Sequence, residues 1–113
     1  MHIDPDSDDQ LGRDFAAGGE RALERAYVRW SPLIYTLAVR SLGDVGDAED
    51  VTQKTFVAAW TGRSGFRDGS SLSAWLVGIA KNKIADTHEA RARIRRLREQ
   101  LESSSAPDDW VSE

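Results

Sequence analysis

The chain has 113 residues, a net charge of −4 and no cysteine. A domain of this size buries roughly two-thirds of its unfolded surface, and the lack of thiols excludes disulfides, thiolate metal sites and cysteine nucleophiles. No apolar run approaches the ~18 residues of a membrane span, and the acidic N-terminus is unlike a signal peptide, so the protein reads as cytoplasmic. The charge is uneven: Asp4, Asp6, Asp8 and Asp9 crowd one end, and Arg91, Arg93, Arg95, Arg96 and Arg98 the other. An acidic total can therefore conceal a basic working surface, although a solvated helix end is the plainer account of an arginine run.

In chain order, residues 1–9 read as a disordered acidic N-terminus. Ser7 or Asp8 can still cap a short helix that carries Leu11 and Phe15 at i, i+4 and stops at Gly18-Gly19. A helical pattern follows from Glu20 to Leu42, with Leu23, Ala26, Tyr27, Trp30, Ile34, Leu37, Ala38 and Leu42 on its apolar side. Pro32 lies inside it, and an interior proline costs about 3 kcal/mol, so a kink or a break recapped by Ser31 is expected.

After the turn Gly43-Asp44-Val45-Gly46, Asp47 is the expected N-cap of a helix ending near Trp60. At ~100° per residue, Ala48, Val51, Thr55, Phe56 and Ala59 gather on one side of it. Asp50, Gln53 and Val57 stack on the other side, with Trp60 at the margin. A charged group and an amide sharing a stripe with apolar side chains suit docking against another protein; a solvated face with one stray valine is the alternative.

Residues 61–71 form a loop with three glycines, yet they include Phe66, Arg63 and Arg67. Ser70 or Ser71 caps the last helix. There Leu72, Leu76, Ile79, Ile94, Leu97 and Leu101 share one stripe, and Trp75, Asn82, Asp86 and Arg93 a neighbouring one. Residues 103–113 have linker composition, with Trp110 beyond Ser103-Ser104-Ser105-Ala106-Pro107. Every predicted element is helical, so the fold class is all-α: a compact bundle of about four helices over residues 10–102.

Convergent catalytic groups cannot be assembled. His2 lies in the tail and His88 among arginines, so no histidine pair has metal-ligand spacing; the serines lack a partnered base, and the glycine loop lacks a P-loop ending. No enzyme activity, cofactor or metal is expected. A single-stranded nucleic-acid site fits better, because such sites pair basic groups with aromatic surfaces on which stacking contributes about 1–3 kcal/mol per base. Phe66, Trp75, Asn82, Lys81, Lys83, Arg91 and Arg93 supply those groups. The alternatives are a loop anchor in the core for Phe66, core packing for Trp75 and a solvated position for Asn82.

Taken in order, these segments resemble the second conserved region of bacterial sigma factors of the extracytoplasmic-function (ECF) type. The resemblance rests on the helix from Tyr27 to Leu42-Gly43-Asp44, on Asp47-Ala48-Glu49-Asp50-Val51-Thr52-Gln53-Lys54-Thr55-Phe56 and on Ala59-Trp60. It continues through Phe66-Arg67, Leu72-Ser73-Ala74-Trp75-Leu76, Ile79-Ala80-Lys81-Asn82 and Asp86.

The resemblance implies a domain that binds the clamp coiled coil of the RNA polymerase β′ subunit and melts the promoter minus-ten element. Asp50, Gln53, Lys54, Val57 and Trp60 would form the polymerase-docking face. Phe66, Arg67, Asp68, Ser70 and Ser71 would line a loop holding a base flipped from the non-template strand. Trp75, Ile79, Asn82, Lys83 and Asp86 would read the element and support its edge, with Arg91 and Arg93 on backbone phosphates. It also implies an anti-sigma factor as a partner, a monomeric isolated domain and, beyond the linker, a second helical domain that this chain lacks.

Three positions depart from the family pattern. Lys54 stands where an acidic residue is common, Gly69 follows Asp68 where the order is often reversed, and Gly78 replaces a frequent aromatic or arginine. The rival reading is a helical protein–protein interaction module without nucleic-acid contact. A duplex-specific DNA-binding protein is disfavoured by the lack of a helix-turn-helix tandem.

Overall fold

Where each helix begins is decided by which oxygen can accept from its free first-turn amides. The computed structural model describes Asp4 and residues 6–67 and 69–104. Helix α1 (Asp8–Ala16) follows Ser7, whose hydroxyl accepts from the Gln10 amide at 3.2 Å. The acidic tail thus ends sooner than expected, since Asp8 and Asp9 are already helical; Met1 to Ile3 and Pro5 lie outside the described residues. Helix α2 (Glu20–Leu42) starts without a side-chain cap and ends on Gly43, whose φ of 66° lets its amide donate back to the Val39 carbonyl at 2.7 Å.

That tight stop moves the next cap forward. Asp44 caps helix α3 (Val45–Thr61), its carboxylate accepting from the Asp47 amide at 2.8 Å. Asp47, expected as the cap, sits instead in the first turn with its carboxylate turned to another partner. A short 3-10 turn, Arg63–Gly65, precedes helix α4 (Leu72–Ser104), and the Ser71 hydroxyl caps α4 by accepting from the Ala74 amide at 3.2 Å. Ser103 and Ser104, expected in the linker, are still helical, and residues 105–113 with Trp110 lie outside the described set. The described residues contain no strand, and the architecture is all-α.

Pro32 neither breaks α2 nor calls on Ser31 to recap it. The hydrogen bond that proline cannot donate would have gone to Val28, which is 76% exposed, so water can satisfy that carbonyl. One side of α2 therefore stays continuous and supports two apolar clusters. Leu11, Phe15, Ala22, Ala26, Trp30, Ile34, Phe56, Ala59, Phe66, Leu72, Leu76 and Ala80 form the larger. Ala38, Leu42, Ala48 and Val51 form the smaller, covered by Tyr35, Val39 and Ile84. Alanines at 22, 26, 38, 48, 59 and 80, all buried, leave room for the helices to approach closely. The buried hydroxyls of Thr52 and Thr55 donate to the Ala48 and Val51 carbonyls at 2.8 and 2.7 Å, so neither is left unsatisfied.

Beyond Ala80, α4 buries no residue, and Ile94, Leu97 and Leu101 are half-exposed or more. Ile84 still packs on the smaller cluster, and past it this half is tied to the bundle by Arg91. Its guanidinium donates to the Leu42 carbonyl at 2.9 Å and pairs with the Asp47 carboxylate. His88 adds a contact with the Ser41 hydroxyl at 2.9 Å.

Two substitutions test this packing by chemical denaturation at neutral pH. Phe66→Ala should cost about 3 kcal/mol, the range for removing a phenyl ring from a core. Arg91→Ala should cost about 1 kcal/mol, because its ion pair is over a third exposed and water screens it.

Candidate functional site

On α3 the same periodicity that buries Ala48, Val51, Phe56 and Ala59 turns a second set of side chains outward. Asp50, Gln53 and Lys54 are exposed, Val57 is 65% exposed, and Trp60 is half-buried. Lys54 pairs with Asp50 at 2.9 Å across one turn, so the lysine that departs from the family pattern offsets the charge of its own neighbour. Trp60 is held on two sides. The Phe15 ring meets it edge-on with centroids 6.0 Å apart, and the Arg63 guanidinium lies 4.0 Å from its centroid while donating to the Trp60 carbonyl at 2.7 Å.

This ridge has unlike flanks. Towards α2 lies an open, mostly apolar groove of about 520 Å³ lined by Leu23, Tyr27, Val28, Phe56, Val57 and Trp60. Towards α4 lies a charged recess lined by Asp50, Lys54, Lys83, Asp86, Thr87 and Ala90. The α3 set and part of the α4 set therefore adjoin along one seam. The apolar groove escaped the sequence reading because Tyr27 counted as core and Val28 lay off the apolar stripe. Tyr27 is 43% exposed, its ring edge-on to Phe56 at 5.0 Å.

The loop and the start of α4 carry the second group. Arg67, Ser70 and Ser71 are exposed, and Asp68 lies outside the described residues. Phe66 is corrected: its ring is 5% exposed and packs on Trp75 at 5.1 Å and Phe15 at 6.3 Å. It is the loop's anchor in the core and offers no face for a base to stack upon. Trp75 and Ile79 are half-buried against the same cluster, so each shows solvent only part of its surface.

Farther along α4, Asn82 and Asp86 are exposed and Lys83 is half-buried. Arg93 is exposed, and Arg91, over a third exposed, already donates to the Leu42 carbonyl and pairs with Asp47, so a phosphate there would compete with these partners.

The largest omission of the sequence reading is Asp8. Its carboxylate reaches across to the start of α4, accepting from the Leu72 amide at 2.6 Å, the Ser73 amide at 3.3 Å and the Ser71 hydroxyl at 3.0 Å, and from the Ser73 hydroxyl. Partial burial pushes this carboxyl's pKa up, but the donors from Ser73, Ser71 and Leu72 together outweigh it and hold the group below its ordinary value. No local signal could have revealed this, since the partners are more than sixty residues away.

The outward ridge on α3, its two flanking recesses and the serine-capped start of α4 are the exposed features of this helical bundle. The chain belongs to the Sigma-70 region 2 family, which matches residues 26–106. It is 35% identical over 95 residues to the ECF RNA polymerase sigma factor SigL of Mycobacterium tuberculosis, covering 82% of this chain and 53% of that protein. It is 36% identical to the RNA polymerase sigma factor CnrH of Cupriavidus metallidurans (85% and 48% covered) and 33% identical to the ECF sigma factor BldN of Streptomyces coelicolor (86% and 39%). These relatives place it among region 2 domains of the ECF type, and the chain spans about half or less of their length. No solved structure matches it significantly. No helix among the described residues is long and apolar enough to cross a membrane.

Because the folded pKa of Asp8 is depressed, its contribution to stability is complete above the ordinary carboxyl value of 3.8 and is lost as pH falls through the folded value. Unfolding free energy measured from about pH 5 down to about pH 2 should therefore fall more steeply for the parent chain than for Asp8→Asn.

Proposed function

We propose that this chain is the promoter-recognition domain of an ECF sigma factor. The ridge of Asp50, Gln53, Lys54, Val57 and Trp60 docks on the clamp coiled coil of polymerase β′. The loop of Arg67, Asp68, Ser70 and Ser71, with Trp75, Ile79, Asn82, Lys83 and Asp86 of α4 and Arg93 farther along, receives the non-template strand of the minus-ten element. An anti-sigma factor is a further partner of the same surfaces, and the isolated domain is a monomer. The observation that carries this reading is the exposure of Val57 beside Gln53 on one helix and of Asn82 on the other, in a chain that belongs to the Sigma-70 region 2 family.

The mechanism is differential binding. Extruding a base costs a few kcal/mol of stacking and pairing, and a loop that holds the extruded base offsets that cost and traps the melted state. With Phe66 in the core, the holding falls to the polar loop groups and the backbone around them. A domain with a net charge of −4 attracts DNA weakly by itself, so docking on polymerase supplies the local concentration.

A second reading, a partner-binding module without nucleic-acid contact, draws support from the apolar α2–α3 groove. One titration separates them: labelled single strands of varied sequence and matched duplexes, with and without a β′ clamp fragment. Preference for one single-stranded sequence supports the promoter reading, and indifferent weak binding to every oligonucleotide supports the rival. Binding of the preferred strand should weaken with log[salt] at a slope of about −0.7 per phosphate contacted.

The two surfaces should also separate by mutation. Gln53→Ala should weaken clamp binding by about 1 kcal/mol and leave strand affinity within about twofold, and Asn82→Ala should do the reverse. Equal damage to both activities by both substitutions, with helicity intact, would sink the division into two sites.

A further inference from the structure

Helix α1 lies wholly ahead of the segment that matches the family, yet three of its residues converge on the loop between α3 and α4 and the start of α4. Asp8 accepts from the Leu72 and Ser73 amides and from the Ser71 and Ser73 hydroxyls. One turn on, Gly12 lies against Phe66 and the loop backbone, close enough that even a methyl group would be in van der Waals contact with both. A Cβ there would stand 3.4 Å from the Phe66 ring and 3.7 Å from the Ser70 carbonyl. Phe15 closes the row, its ring edge-on to both Phe66 (6.3 Å) and Trp75 (6.0 Å). These positions, 8, 12 and 15, are spaced i, i+4, i+7 and so lie along one face of the helix.

We infer that α1 is a positioning element for the loop, and that Asp8 is the positioning residue which sets the affinity for single-stranded DNA without touching it. The inference rests on the strand-binding role proposed above for Arg67, Ser70 and Ser71 and the start of α4. Glycines at 65 and 69, the latter with a φ of 89°, widen the range of backbone conformations open to this stretch before it is seated. Ordering it at the moment of binding would cost conformational entropy that a loop already seated on α1 has lost in advance. The carboxylate orients Ser71 and Ser73 as well as capping two amides. A negative charge at a helix N-terminus also complements the α4 dipole. Ser73 is thereby held toward α1, and Ser70 and Arg67 are presented on the outer side.

The test uses the whole chain with Asp8→Ala and Asp8→Asn, measured at neutral pH. Three quantities are compared with the parent: anisotropy of a labelled strand of the preferred sequence, affinity for a β′ clamp fragment, and amide hydrogen exchange. Asp8→Ala should weaken strand binding roughly fivefold, the equivalent of losing one N-cap, while clamp affinity stays within about twofold. Exchange should quicken at Leu72, Ser73 and the loop and stay unchanged in α2 and α3. Asp8→Asn, which keeps an acceptor but not the charge, should fall between.

Unchanged strand affinity in Asp8→Ala, with the parent binding normally, would overturn the inference and leave the proposed function standing. Slower or uniform exchange changes across all four helices would overturn it as well, because they would mark a general stability effect. If the parent itself binds no strand, the proposed function fails, and so does the DNA role of Asp8; exchange at Leu72 and Ser73 then decides by itself whether α1 holds the loop.

Discussion

The Phe15 ring is the contact on which the arrangement of the other parts depends. It is 1% exposed and meets three aromatic rings from three different segments: Trp60 at the end of α3, Phe66 in the loop and Trp75 in the first turn of α4. Edge-to-face pairs of this kind contribute about 0.5–1.5 kcal/mol each beyond the area they bury. Their greater effect is geometric, because one rigid ring sets the relative positions of the α3 ridge, the loop and the long helix. A nine-residue helix could not be stable alone. Its place is earned by what it holds together.

The same economy governs the charged groups. Of the arginines in α4, Arg91 closes the seam between the end of α2 and the start of α3, and Arg96 pairs with Glu89 at 3.3 Å. Arg63 lies over Trp60 and thereby belongs to the α3 ridge. On the ridge itself, Asp50 and Lys54 offset each other, which leaves Gln53, Val57 and Trp60 as the parts with directional or apolar character. Surface ion pairs of this sort contribute little to stability, so their consequence is for the field that a partner meets.

The ridge on α3 and the outer side of α4 share the recess between Lys54 and Lys83. Occupants of the two surfaces would therefore approach each other closely there, and charge placed on either helix is felt by both. In the proposed function this adjacency couples docking to strand capture through proximity alone.

How much was legible in the sequence follows from the range of each interaction. Helix periodicity is local, so Leu11, Phe15, Trp30, Ile34, Val51, Phe56, Leu72 and Leu76 could be assigned to the interior, and Asp50, Gln53 and Val57 to the surface, by counting at 3.6 residues per turn. Serine caps ahead of α1 and α4 and the glycine stop after α2 are equally local.

Tertiary structure alone decided the rest. Whether Phe66 faced a base or the core depended on Phe15, some fifty residues away; what the Arg91 guanidinium meets depended on Leu42 and Asp47; and Asp8 found its amides only once α1 had been laid across the start of α4. A side chain's own sequence neighbourhood fixes the direction in which it points. What it meets there is set by segments that chain periodicity cannot see.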